Sequence, residues 1–309
     1  MILPDTIIAG DCVKLLSGRR QPLADLVFAD PPFNIGYKYD LYEDRKGYGQ
    51  YRDWTRSWMS ACLNVLKPAG TFWVAIGDEY AAEVRLIGRE LGLFLRNWVI
   101  WHYTFGQSTK KKFARSHAHL FYWVRDPKQF TFNDLAVRQP SARQTTYADK
   151  RANPVGKLPD DVWSFSRVCG TFNERVKWHP CQMPLRVLER IILATSNPGD
   201  LVLDPFSGSG TTCVAAARSG RRYVGIDLSA DYVRLSRERV TEALAGRDGR
   251  TAISENPEAL RAGRKVGAKR RLRQDDAGLT AGPDAPPRRG RRKAAAKAPM
   301  QAMLPLLVE

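Results

Sequence analysis

Two short segments carry the residue types that can do chemistry. The first is Asp30-Pro-Pro-Phe33, directly after the apolar run Leu23-Ala-Asp-Leu-Val-Phe-Ala29. Both prolines fix φ and lack an N–H, and a residue before proline is pushed to an extended conformation, so the segment is a rigid corner. At the end of a buried strand this corner offers a carboxylate, two carbonyls and an aromatic face, a set able to hold a flat, amino-bearing ring. The same residues also suit a plain strand end, because prolines are common turn formers. The second segment is Ser207-Gly-Ser-Gly-Thr-Thr212, between the run Asp200-Leu-Val-Leu-Asp-Pro-Phe206 and an alanine-rich helix from Cys213 to Ser219. Strand, glycine turn and helix N-terminus together bring backbone N–H groups close to a ligand. A phosphate-cradling P-loop would place Lys after Gly210, and a dinucleotide fingerprint would place a third glycine where Cys213 stands. Tyr223-Val-Gly-Ile-Asp227 ends the next strand with an acid placed to accept hydrogen bonds from ribose hydroxyls. These features predict a nucleoside ligand that lacks a pyrophosphate.

Strands and helices must alternate to position these segments, and the chain reads that way. Thr6–Ala9 is a short strand leading to Asp11, and Leu23–Ala29 is the strand that ends in the corner. A polar, tyrosine-rich excursion (Tyr37 to Tyr51) is followed by a helix near Asp53–Leu66. Gly70–Ile76 reads as a strand and Glu79–Leu91 as a helix, while Asn97–Tyr103 and His119–Arg125 read as a strand pair around a loop. Residues 200–206 and 222–227 are two further strands, with helices at 211–219 and 230–245. The expected fold is α/β, a doubly wound, mostly parallel sheet.

Taken together, the motifs resemble the amino-methylating DNA methyltransferases that use S-adenosylmethionine, over roughly residues 6–245. Asp30, Pro31, Pro32 and Phe33 resemble the catalytic motif of that family. Asp204, Pro205, Phe206, Ser207, Gly208 and Gly210, followed by Thr211 and Thr212, resemble its cofactor loop. Catalytic motif before cofactor loop is the circularly permuted order called the beta class. Asp11 and Cys12 resemble the acidic turn at the cofactor's adenine. His179-Pro-Cys-Gln-Met-Pro-Leu185, with Gln182 and Pro184, resembles the segment that closes over its methionine end; Met183 stands where that segment usually carries Lys. Asp227 and Leu228 complete the implied cofactor set. The resemblance implies a Rossmann-like sheet of seven strands, one antiparallel. It implies a catalytic half at 1–127, a target-recognition insertion at 128–178 and a cofactor-binding half at 179–246.

Charge supports a nucleic-acid partner. The chain has 309 residues, 43% of them hydrophobic, and a formal charge of +17, which suits a polyanion because phosphate neutralisation dominates nonspecific nucleic-acid affinity. Residues 128–178 interleave aromatics (Phe130, Phe132, Tyr147, Trp163, Phe165, Phe172, Trp178) with Arg138, Arg143, Lys150, Arg151, Lys157 and Arg167. Basic residues contact phosphate, and Arg also reads base edges. Lys110, Lys111, Lys112 and Arg115 form a second basic cluster, readable as a grip on the duplex or as a solvated charge run. From Arg247 to Glu309 there are 15 Lys and Arg against 7 Asp and Glu, with few large apolar residues, the composition of a disordered basic tail. Its end, Gln301-Ala-Met-Leu-Pro-Leu306, resembles the peptides by which bacterial DNA-handling proteins dock on the sliding clamp; an ordinary apolar terminus fits the same residues. Five cysteines without a C-x-x-C pair argue against a disulfide framework, and no metal site is expected at His117 and His119. With no signal-peptide pattern and no apolar run of about 20 residues, a cytoplasmic, nucleoid-associated protein without membrane contact is expected. The resemblance adds a homodimer and a cognate restriction enzyme as partners to test.

The chemistry these residues imply is methylation of an exocyclic amine on a flipped base, with double-stranded DNA as substrate and S-adenosylhomocysteine as product. The resemblance implies adenine N6, since Asp at the position of Asp30 is that family's usual choice for adenine enzymes, and cytosine N4 is the alternative. A noncatalytic DNA-binding subunit, and RNA or protein amide methylation, are the readings from other classes. The only Pro-Cys, Pro180-Cys181, lies in the cofactor half, so cytosine-C5 chemistry through a Pro-Cys nucleophile is not expected.

Overall fold

The computed structural model describes residues 2–19, 21–103, 109–170 and 172–247. The basic tail and its Gln301–Leu306 segment lie outside the described residues. The strands are β1 (Thr6–Ala9), β2 (Ala24–Ala29), β3 (Leu66–Ile76), β4 (Phe94–His102), β5 (His117–Val124), β6 (Val162–Ser164), β7 (Leu201–Asp204) and β8 (Arg222–Asp227). The helices are α1 (Cys12–Ser17), α2 (Tyr48–Val65), α3 (Ala81–Glu90), α4 (Asp134–Val137), α5 (Ala142–Thr145), α6 (Leu185–Thr195), α7 (Thr211–Arg218) and α8 (Ala230–Leu244). All strands join one sheet in the order β1-β8-β7-β2-β3-β5-β4-β6. Only β5 pairs antiparallel to its neighbours, β3 and β4.

The doubly wound, mostly parallel sheet is the expected one, although β3 starts at Leu66 rather than Gly70, β4 spans Phe94–His102 rather than Asn97–Tyr103, and two larger differences stand out. Eight strands form rather than seven, because Val162–Ser164 of the basic insertion adds to the outer edge beside Ile100–His102. The helix after the catalytic strand starts at Tyr48 rather than near Asp53, with the Gln50 side chain accepting from Gly47 N at 3.3 Å to satisfy its first turn.

Strands buried on both faces need apolar residues at every position, and β3 shows the result. Phe72, Val74 and Ile76 join the core layer shared with α2 and α3, whereas Trp73 and Ala75 join the layer shared with α6 and α7. The central order β1-β8-β7-β2-β3 reverses its winding between β7 and β2. Chain segments leave this point in opposite directions, with α1, α2 and α3 on one face and α6, α7 and α8 on the other. Such a switch point opens a crevice at the carboxyl ends of the strands.

Packing between α3 and the sheet leaves one testable mark. Gly88 lies inside α3, where alanine is intrinsically favoured by about 1 kcal/mol. A Cβ there would sit 2.8 Å from Cζ2 of Trp123, which is completely buried. Gly88→Ala should therefore destabilise the protein by about 1–3 kcal/mol despite its helix propensity, read as a lower midpoint in thermal or urea unfolding.

Candidate active site

Four neighbouring parallel strands, β1, β8, β7 and β2, each deliver an aspartate to the same edge. Asp11 follows β1, Asp227 ends β8, Asp204 ends β7 and Asp30 follows β2. All four line one cleft of about 1120 Å³ at the switch point. Asp204 is only 3% exposed. Burial, reinforced by the charge of Asp204, pushes the Asp30 carboxyl up to about 7, and no hydrogen bond opposes the shift. Asp204 is likewise raised to about 7, chiefly by burial, although Thr212 and the Phe206 N–H hold it down in part. Burial also raises Asp227.

The corner is held on every side. Tyr51 Oη donates to the Pro32 carbonyl at 2.6 Å, fixing the second proline. Phe33 packs over Gly77, where a Cβ would approach the ring to 3.2 Å. Asn34 then takes a left-handed conformation (φ 60°) and ties the excursion shut: its amide donates to the Lys46 carbonyl and accepts from the Lys46 N–H. The buried Asp44 accepts from the N–H groups of Asn34, Ile35 and Tyr37. The excursion thus folds back as a strap along the cleft, and Asp40 reaches across to accept from Ser229 Oγ at 2.6 Å.

The glycine turn is built differently from the sequence expectation. Three of its N–H groups are used within the protein: Ser207 N donates to the Ile226 carbonyl, Gly208 N to Asp227 Oδ2 and Gly210 N to the Ser207 carbonyl. From behind, Ser236 Oγ donates to the Gly208 carbonyl and Arg239 to that of Ser209. The glycines serve close approach. Gly208 has φ +46°, and a Cβ on it would lie 2.8 Å from Nε2 of His179. With three of its amides committed inward, the turn has fewer donors to offer an anion than a phosphate cradle has, which fits a ligand without phosphate.

Most residues of the implied set meet in this cleft. Asp11, Cys12, Asp30, Pro31, Pro32, Phe33, Gln182, Asp204, Pro205, Phe206, Ser207, Gly208, Thr211, Thr212, Asp227 and Leu228 all line it. Asp11 also caps α1, accepting from Lys14 N at 3.1 Å, and burial pushes the Cys12 thiol up to about 12. Gln182 reaches the wall, but its amide is committed to the backbone of residues 174 and 176. Pro184 instead caps α6, and Gly210 caps α7; neither is part of the wall. Of the basic candidates, Lys112 and Arg115 line the cleft, and exposed Lys110 and Lys111 precede them. Arg138 is spent internally on Asp134 and the Gly156 carbonyl, while Arg143 and Arg151 share Asp149, beside exposed Lys150. Sequence reasoning missed Tyr39, Trp54, Glu79 and Tyr232 in the wall. The tyrosine-rich excursion was a visible signal for Tyr39 alone; nothing local marked the other three. Arg167, exposed at the cleft and stacked 5.0 Å from the Tyr103 ring, joins Lys112 in making the mouth basic above an acidic floor. Among the described residues, no group of three or more His, Cys, Asp or Glu is arranged to hold a metal ion. No described helix is long and apolar enough to cross a membrane.

A doubly wound sheet with an acidic cleft at its switch point places the chain in the α/β class whose ligands bind beyond the carboxyl ends of the strands. Comparison with known proteins gives the family. A family model described as DNA methylase, covering N6 and N4 enzymes, matches residues 24–238. The type II methyltransferase M.HpaI of Haemophilus parainfluenzae is 34% identical over 245 residues, 78% of this chain and 76% of its own length. The DNA adenine methyltransferase YhdJ of Escherichia coli is 35% identical over 246 residues, 77% of this chain and 83% of its own. The PvuII cytosine-N4-specific DNA methyltransferase structure shares the fold, with a TM-score of 0.60 at 20% identity, covering 81% of this chain and 94% of that one. The chain belongs to the N6/N4 DNA methylase family.

The raised carboxyl of Asp30 makes a pH-dependent prediction. A folded pKa above the unfolded one means that ionisation costs stability, increasingly as pH rises from the ordinary carboxylate range through about 7. Asp30→Asn should raise the melting temperature by about 2 °C or more at pH 8, and the gain should shrink as pH falls toward 4. A gain that grows in acid would contradict this origin.

Proposed function

We propose that this protein transfers a methyl group from S-adenosylmethionine to the N6 amino group of adenine in double-stranded DNA. The observation that carries the reading is Asp30: a half-buried carboxylate on a rigid corner, raised toward neutrality and, among the described residues, without a protein donor to stabilise its charge. An exocyclic amine is the kind of donor it lacks. Such an amine is a poor nucleophile, because its lone pair is delocalised into the ring. Donating its two N–H groups to the Asp30 carboxylate and the Pro31 carbonyl favours a pyramidal nitrogen with a directed lone pair. A carboxyl near pKa 7 can also take up the proton that the amine must shed after attack.

The residues present fit the methyl donor. Four aspartates converge on a cleft that holds no internal phosphate cradle, a setting for a cationic, phosphate-free nucleoside. Asp11 and Cys12 would hold its adenine end and Asp227 its ribose, with Gly208 allowing close approach. When bound, S-adenosylmethionine supplies a methyl group on a sulfonium, a leaving group good enough that no covalent enzyme intermediate is needed. The remaining contribution of the chain is positioning, which supplies much of the acceleration in two-reactant sites. A target base inside a duplex cannot reach Asp30, so it must flip out into the cleft. Lys112 and Arg167 give the mouth a charge suited to the phosphates on either side.

Adenine is favoured over cytosine by Asp at position 30 and by the relative named as a DNA adenine methyltransferase. Retention of Asp30, Gly208, Gly210 and Asp227 argues against a noncatalytic DNA-binding subunit.

The test is methylation of genomic DNA by the purified protein, followed by identification of the modified nucleoside and its sequence context. N6-methyladenine is expected; N4-methylcytosine would overturn the choice of base. Asp30→Ala should abolish transfer while cofactor binding, measured by calorimetry, is retained. Since the carboxylate must be ionised to accept from the amine, kcat/KM for DNA should rise with pH through about 7.

A further inference from the structure

Phe113 is 100% exposed, in the loop between β4 and β5. A lone exposed aromatic requires no explanation, but the surroundings of this one do supply a role. Thr109, Lys112 and Arg115 line the same cleft as Asp30, and Phe113 lies between the last two in the chain, so its backbone borders the opening although its ring is not part of the wall. Arg115 is locked onto Asp78 at 2.8 Å and onto Glu79, which fixes the loop where it returns to β5. Lys110, Lys111 and Lys112 run directly into Phe113. An apolar ring is therefore held in water, on a cationic loop, at the opening through which a base must pass.

The geometry points to Phe113 as an intercalating wedge. Drawing a base out of the duplex leaves a gap between its neighbours and costs their stacking. An aromatic side chain that enters the gap restores part of that stacking and leaves water, while the preceding lysines hold phosphates beside it. A side chain with no contacts in the free protein has none to give up on entering. The inference rests on the DNA-methylation reading above, and adds a residue that acts on the base stack rather than on the reacting atoms.

The test uses two duplexes carrying the sequence context mapped for the wild-type protein. One is fully paired, and the other has an abasic site opposite the target, so that extrusion is already easy. Phe113→Ala should slow single-turnover methylation of the paired duplex about tenfold or more, the size expected for one lost base–aromatic stack. On the abasic duplex it should run near the wild-type rate, and its melting temperature should be unchanged. Phe113→Trp should keep most of the activity on both. Lys110→Ala with Lys111→Ala should weaken both duplexes alike, with relief at low salt. Equal losses for Phe113→Ala on both duplexes, or no loss on either, would overturn the wedge. If the wild-type protein methylates no DNA at all, the methylation reading fails, and the wedge fails with it.

Discussion

The arrangement of this protein turns on the convergence of carboxylates at one edge of the sheet. Four parallel neighbours end in Asp11, Asp227, Asp204 and Asp30, and burial drives the last two toward neutrality. Carboxylates in such a setting repel one another and lose hydration, so the arrangement persists only because rigid strands impose it. The compensation is partial by design of the fold. Asp227 and Asp204 receive backbone donors from the glycine turn and from Phe206, whereas Asp30 receives none. A cationic ligand and an amine donor are the groups that would relieve the remainder.

The surrounding structure reads as support for that edge. Tyr51 fixes the Pro32 carbonyl, Asp44 gathers the excursion behind the corner, and Asp40 ties it to Ser229 at the start of α8. Ser236 and Arg239 press on the glycine turn from the other side. Both halves of the cleft are thus preorganised, which matters where catalysis depends on placing two reactants rather than on strong acid–base groups. Charge changes sign with depth in the cleft. The floor is acidic, suited to a cation, and the mouth carries Lys112 and Arg167, suited to a polyanion.

Local signals made part of this legible. Asp30-Pro-Pro-Phe33 is readable because proline geometry is local, and the Ser207–Gly210 turn because its glycines punctuate a strand and a helix. The β3 core strand is readable as an unbroken apolar run. The eighth strand was not: Val162–Ser164 is three residues long, too short for any periodicity, and exists only because β4 presents an open edge. Glycines around Tyr48 hid the first turn of α2. Arg138 looked like a nucleic-acid contact by composition, yet it joins Asp134 to the Gly156 carbonyl, a pairing that only chain folding brings about.

Residue type and backbone restriction are properties of a few adjacent positions, so the chemistry available at each strand end, and the class of reaction it suits, is already written in the amino-acid order. Which strand ends become neighbours depends on the folded sheet. Asp11 and Asp227 are remote in the chain but flank adjacent strands, and Asp30 feels Asp204 because β2 pairs with β7 at the switch point. Their mutual electrostatics, and the inward use of the glycine-turn amides, follow from the strand order of the sheet, a long-range property that no local pattern contains.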